Sequence, residues 1–193
     1  MEQLKNRILK DGKVLEGNVL KVDGFLNHQI DTELIAAIGK EIYNRFCTEK
    51  ITKVLTVEAS GIGVSCFAAK EFGVPCLFAK KSKINKNMSA GTYSASVESF
   101  THGNINNIVV SKDFLNSDDK VLVVDDFLAH GKALEGLINI IDQAGAEYVG
   151  AVAVIEKGYQ HGGDKLREQG YRIESLANID SMDAKTGKIV FRD

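Results

Sequence analysis

Apolar residues along this chain fall into two alternating rhythms. After Asp31, the positions Leu34, Ile35, Ile38, Ile42 and Phe46 recur at helical spacing, which predicts an N-capped amphipathic helix. Lys53 to Glu58 then predicts a strand, Gly63 to Phe72 a helix that Gly73 stops, and Pro75 to Ala79 a second strand. Asn107 to Ser111 and Lys120 to Val124 are further apolar strand candidates. Leu137, Ile138, Ile141 and Ala144 share one face of a predicted helix over 134–144. Tyr148 to Glu156 is nearly all apolar, as a strand covered on both faces should be. Helices alternating with buried strands imply an α/β fold with a mostly parallel central sheet flanked by helices. In such sheets ligands bind beyond the carboxyl ends of the strands, so chemistry is expected just after Val57, Ala79, Val124 and Ile155.

The ends of the chain differ from this core, of about 31–170. Residues 13–30 mix short apolar pieces with Asp23-Gly24 and Asn27-His28, and Tyr171–Ala177 and Ile189–Arg192 read as short strands. The segments of about 1–30 and 171–193 are expected to pair into a small hood over one edge of a single domain spanning 1–193. The segment of about 80–104 holds Lys80, Lys81, Lys83 and Lys86 among Ser, Asn, Gly and Thr, with little apolar pattern. Such a stretch inside a compact domain reads as a flexible lid or a disordered insertion.

Composition narrows the function classes. With 193 residues, 44% of them hydrophobic, the chain fills one core, and a net charge of −2 lacks the basic excess of a nucleic-acid or anionic-lipid binder. The interleaved charges of Met1 to Arg7 are unlike a signal peptide, and no apolar run is long enough to cross a bilayer. A cytoplasmic setting is expected, with Cys47, Cys66 and Cys76 as reduced, core-filling thiols.

Two loops carry phosphate-type chemistry. In Val121-Leu122-Val123-Val124-Asp125-Asp126-Phe127-Leu128-Ala129-His130-Gly131-Lys132-Ala133 a buried strand ends in two carboxylates, and a short loop opens a helix. Helix-start N–H groups suit a phosphate, whereas adjoining acids suit neighbouring sugar hydroxyls. The plainer alternative is that Asp125 or Asp126 caps the helix. In Glu58-Ala59-Ser60-Gly61-Ile62-Gly63 a strand meets a small-residue loop that opens another helix. Here the plainer alternative is a helix entry with Ser60 as cap. As a dinucleotide fingerprint the loop is incomplete, because Cys66 stands where the third glycine belongs, which counts against a dinucleotide-dependent oxidoreductase. Finally, Lys157-Gly158-Tyr159 follows the last core strand and, taken alone, is a commonplace surface connection.

Together these stretches resemble the type I phosphoribosyltransferases. The run of four apolar residues, two acids, a loop and a helix resembles their phosphoribosyl pyrophosphate signature, and Glu58-Ala59-Ser60-Gly61 their pyrophosphate loop. The resemblance implies that Asp125 and Asp126 meet the ribose 2- and 3-hydroxyls and that Ala129, His130, Gly131, Lys132 and Ala133 wrap the 5-phosphate. It implies that Ala59, Ser60 and Gly61 offer N–H groups to the diphosphate, which Lys81 helps neutralise beneath a closing lid. His130 departs from the usual smaller polar residue and is expected to face solvent. Val19 to Asp31, Ile51-Thr52-Lys53, Phe78-Ala79-Lys80-Lys81 and Glu174-Ser175-Leu176-Ala177 are similar to the bacterial xanthine phosphoribosyltransferases over nearly the whole chain, residues 84–93 departing most. That likeness implies a base site of Leu20, Asn27, Lys157 and Tyr159, transfer to xanthine, magnesium held through the substrate rather than by protein ligands, and a homodimer. The alternatives are an adenine or hypoxanthine/guanine phosphoribosyltransferase, or a purine-responsive regulator, for which the basic surface and the extra DNA-binding module are wanting.

Overall fold

The computed structural model describes residues 1–82, 91–98 and 105–192. Helix α1 (Glu2–Asp11) precedes a hairpin of β1 (Lys13–Leu15) and β2 (Val19–Lys21), then a π-helical turn over Asp23–Asn27. The core follows as α2 (Thr32–Phe46), β3 (Lys53–Val57), α3 (Gly61–Phe72), β4 (Cys76–Ser82), β5 (Thr92–Glu98), β6 (Ile105–Ser111), β7 (Lys120–Leu128), α4 (Lys132–Ala144) and β8 (Glu147–Lys157). Helix α5 (Gly162–Glu168), β9 (Ile173–Met182) and β10 (Ile189–Phe191) close the chain. Eight strands form one sheet in the order β10-β9-β8-β7-β3-β4-β6-β5. Its centre is parallel, β4, β3, β7, β8 and β9 running together, and both margins are antiparallel.

Each predicted helix forms for the reason its pattern gave. The Asp31 carboxylate accepts from the Leu34 N–H at 3.1 Å and caps α2, whose apolar stripe is wholly buried. Gly73 ends α3 at φ +69°, a left-handed cap whose N–H donates to the Lys70 carbonyl while the Val74 N–H donates to that of Ala69. The sheet separates two apolar clusters. One gathers the hood residues Leu4, Leu20 and Phe25 with α2 and α3, and the other lies under α4 and the β5–β6 pair. Seven consecutive residues of β8, Gly150 to Glu156, are buried, consistent with cover on both faces.

Several expectations are corrected. Segment 80–104 is not pattern-free throughout: Lys80 to Ser82 extend β4, and Thr92–Glu98 is a strand because Tyr93, Ala95 and Val97 alternate inward against the α4-side cluster. The expected lid otherwise lies on residues 83–90 and 99–104, outside the described residues. The terminal strands do not pair with each other. Strand β9 joins β8 and carries β10, while the hairpin stays separate, tied in by the Met1 amine on the Leu176 carbonyl and the Lys157 ammonium on the Asn18 carbonyl. Cys47 and Cys66 are exposed rather than core-filling, and only Cys76 is partly packed. Among the described residues, no helix is long and apolar enough to cross a membrane.

Candidate functional site

Strand β7 runs past the acid pair, because its pairing with β8 continues from Asp125 opposite Ala153 to Phe127 opposite Ile155 and Leu128 opposite Glu156. The acids are therefore held on regular backbone, inside the strand rather than after its end. Asp126 is 6% exposed, and its carboxylate accepts from the Asn27 amide at 3.4 Å. Asp125 Oδ1 accepts the Asp126 N–H at 3.0 Å. Burial, and next the Asp126 charge, push the Asp125 carboxyl well above the ordinary aspartate range, partly offset by Lys81.

Neither acid caps α4. Its N-cap is Gly131, at φ +82°, a residue with no side chain to bond the helix start. A helix that opens on a glycine after a short loop is an arrangement suited to an anion. The loop before it is buttressed from α5: the Gly162 N–H donates to the Ala129 carbonyl at 3.2 Å, and a Cβ on Gly162 would stand 2.2 Å from that oxygen. His130 is half-buried rather than fully in solvent. Its Nε2 is covered, and the residue lines a cavity of about 250 Å³ that it shares with Lys81, Asp125, Ala129 and Ala133. The exposed Lys132 ammonium pairs with Glu135 at 2.8 Å.

The second loop meets the first. Ser60 has helical backbone angles and makes no side-chain cap bond to α3, so the plain-cap reading fails here too. A Cβ on Gly61 would lie 2.2 Å from Thr56 Oγ1 and 2.8 Å from Asp125 Oδ1, so only glycine lets α3 begin against the acid pair. The Ser65 hydroxyl bonds the Val124 carbonyl at 3.1 Å and fixes α3 on β7. The Glu58–Ala59 peptide is cis. Glu58 accepts the Lys81 N–H at 2.6 Å, which joins the end of β3 to β4 where Lys81 enters the cavity.

The third group lies on the hood side. Lys157 ends β8, donates to the Asn18 carbonyl at 2.8 Å, and places its ammonium 5.5 Å from the Phe127 ring centroid. Burial lowers its pKa and raises that of Tyr159, whose hydroxyl is buried without a partner among the described residues. Leu20, 5% exposed, belongs to the same apolar cluster that Phe127 and Tyr159 pack against. Asn27 links this group to Asp126. Asp125, Ala129 to Ala133 and Lys81 thus share a cavity, Ala59 to Gly61 abut it through Gly61, and the hood residues reach it through Asn27. Sequence reasoning missed Phe127 and Gly162. Phe127 had a signal, since it follows the acid pair on a strand, whereas the packing of Gly162 on the loop is a long-range contact that no local pattern carries. Among the described residues there is no group of three or more His, Cys, Asp or Glu side chains that would close around a metal ion.

Comparison with known proteins adds an independent line. Residues 22–183 match the family model for the phosphoribosyl transferase domain. Xanthine phosphoribosyltransferase of Lachnoclostridium phytofermentans is 54% identical over 192 residues, covering 100% of this chain and 98% of that protein. The enzyme of the same name from Ruminiclostridium cellulolyticum is 50% identical, with 100% of both chains covered. Among solved structures, adenine phosphoribosyltransferase from Rhodothermus marinus superposes with a TM-score of 0.73 at 22% identity, covering 92% of this chain and 97% of that one. That likeness carries the fold alone.

Proposed function

The chain belongs to the phosphoribosyl transferase family, and on that premise we propose that it transfers the 5-phosphoribosyl group of phosphoribosyl pyrophosphate to xanthine, giving xanthosine 5-phosphate and pyrophosphate. The observation that carries this reading is the convergence of two helix starts on one acid pair, with Gly61 against Asp125 and the Ala129–Ala133 loop sharing its cavity. A diphosphate and a 5-phosphate belong to one sugar, and two anion cradles flanking two hydroxyl acceptors match that spacing of charges. In the bond change, a purine nitrogen joins the anomeric carbon as the carbon–oxygen bond to the diphosphate breaks. The bonding pair leaves with pyrophosphate, and the base gives up one proton.

Each side chain then has a part. Asp125 and Asp126 accept from the ribose 2- and 3-hydroxyls and hold the sugar against the base. The N–H groups of Ala129 to Ala133 receive the 5-phosphate, those of Ala59 to Gly61 the diphosphate, and Lys81 adds positive charge to the departing group. No side chain attacks the sugar, so the protein contributes orientation and charge stabilisation. Leu20 and Tyr159 pack on the base, Lys157 donates to a carbonyl of it, and Asn27 both donates and accepts. A magnesium ion, a hard cation that takes oxygen ligands, would be held through the oxygens of the bound substrate beside the acid pair. When bound it neutralises charge on the diphosphate. The enzyme works in the cytoplasm as a homodimer on this reading. Incubation with xanthine, phosphoribosyl pyrophosphate and magnesium, followed by chromatography, should yield xanthosine 5-phosphate and pyrophosphate in equal amounts. Recovery of unchanged xanthine would reject the proposal.

A further inference from the structure

Thr56 is the penultimate residue of β3, wholly buried, and its hydroxyl has no hydrogen-bond partner among the described residues. A buried hydroxyl left unpaired is a cost to the fold, and an isosteric valine would avoid it. The position of the hydroxyl explains why it is kept. Thr56 Oγ1 and Asp125 Oδ1 both border the space left by the missing side chain of Gly61, 2.2 and 2.8 Å from where its Cβ would stand.

We propose that Thr56 is a positioning residue for Asp125: its hydroxyl turns to donate to the carboxylate when that group ionises, and holds the oxygen that meets the ribose. The proposal deepens the transferase reading and rests on it for its kinetic consequence. A small shift of the two side chains toward each other, across the space beside Gly61, lets the hydroxyl donate to the ionised form without backbone movement. The charged and titratable groups facing Asp125 are Asp126 on its own strand and Lys81 on β4, with His130 and Lys132 lining the same cavity, while α3 brings Gly61 up to it. Asp126 opposes ionisation and Lys81 favours it. A neutral donor helps the anion without adding a charge that would compete for the diphosphate.

The test compares Thr56→Val, which keeps the shape and removes the donor, with Thr56→Ser, which keeps the donor. Thr56→Val should melt at or above the wild-type temperature, because an unpaired buried hydroxyl is gone. Its kcat should fall about tenfold, the scale of one hydrogen bond to a charged group. The acid limb of its kcat/KM profile should move up by about one pH unit, since a carboxylate that loses a donor binds its proton more tightly. Thr56→Ser should stay within about twofold of wild type on the same grounds. Titration of the Asp125 carboxyl carbon by NMR in the free protein should show the same upward shift for Val alone. That readout holds whatever the substrate is, so it separates this inference from the transferase reading, which fails if wild type makes no nucleotide. An unshifted Asp125 titration in Thr56→Val, a Ser variant as impaired as Val, or a Val variant that is destabilised would each overturn the assignment.

Discussion

On the proposed reading, Asp125 sets catalysis against stability within one side chain. Its folded pKa is raised by burial and by Asp126, so its proton is bound more tightly in the folded state than in the unfolded one. The sign follows from linkage: the stability this group contributes is complete below the ordinary aspartate pKa of 3.8 and is lost as pH rises through the folded value. Asp125→Asn removes that loss. Thermal melts of Asp125→Asn should match wild type near pH 3 and exceed it increasingly toward neutrality, while turnover falls by at least about a hundredfold. A variant that melts lower at pH 7, or keeps full turnover, contradicts the assignment. Lys157 makes a different prediction. An ammonium has three donors and no acceptor, so it meets a purine carbonyl well and the amino group of adenine poorly. Lys157→Gln should lower kcat/KM for xanthine by about ten- to a hundredfold and leave the KM for phosphoribosyl pyrophosphate within about twofold, since Lys157 belongs to the hood group rather than to the shared cavity. Kinetics with both substrates varied measure this, and equal losses for both would count against a base-reading role.

At the scale of elements, the base and phosphate ends are joined by α5. Glu156, fully buried beside Lys157, receives two hydrogen bonds from Arg167, at 2.9 and 2.6 Å, and another from the Ser175 hydroxyl. Arg167 sits on α5, whose first residue, Gly162, touches the Ala129–Gly131 loop. Removing one partner leaves a buried charge uncompensated. Because the Arg167 side chain is 32% exposed, Arg167→Met should cost about 2–3 kcal/mol by urea unfolding, below the range for a fully buried pair, and should raise the KM for phosphoribosyl pyrophosphate. Unaltered unfolding and KM would show that α5 carries no such load. These links were not legible in the sequence, where Glu156 and Arg167 are ordinary charges eleven positions apart. The helices α2, α3 and α4 and the central strands were legible, because a stripe at helical spacing or an unbroken apolar run reports burial directly. Two elements had a local signal that composition obscured. Leu4 and Ile8 sit one helical turn apart on α1, and Tyr93, Ala95 and Val97 alternate along β5 amid serines and a lysine-rich flank. The continuation of β7 through its acids had no local signal, since pairing with β8 decides it.

For the whole molecule, the sheet acts as a frame that brings the Ala59–Gly61 and Ala129–Ala133 loops to the acid pair, with the hood bound beside them. The Met1 amine on Leu176, Asn27 on Asp126 and Lys157 on Asn18 tie the first thirty residues to three separate strands. The acid pair, the two loops and the glycine that lets them meet were readable as motifs. Their closeness was not, because it depends on β3 and β7 lying side by side in the sheet. The central claim is that this frame presents phosphoribosyl pyrophosphate to xanthine in preference to other bases. Initial rates of pyrophosphate release, with magnesium and phosphoribosyl pyrophosphate fixed and xanthine, hypoxanthine, guanine and adenine varied in turn, test it most directly. Xanthine should give the highest kcat/KM, with adenine lower by at least about tenfold, the cost of a donor meeting a donor in a dry pocket. A preference for adenine, or no pyrophosphate released with any base, would contradict the account.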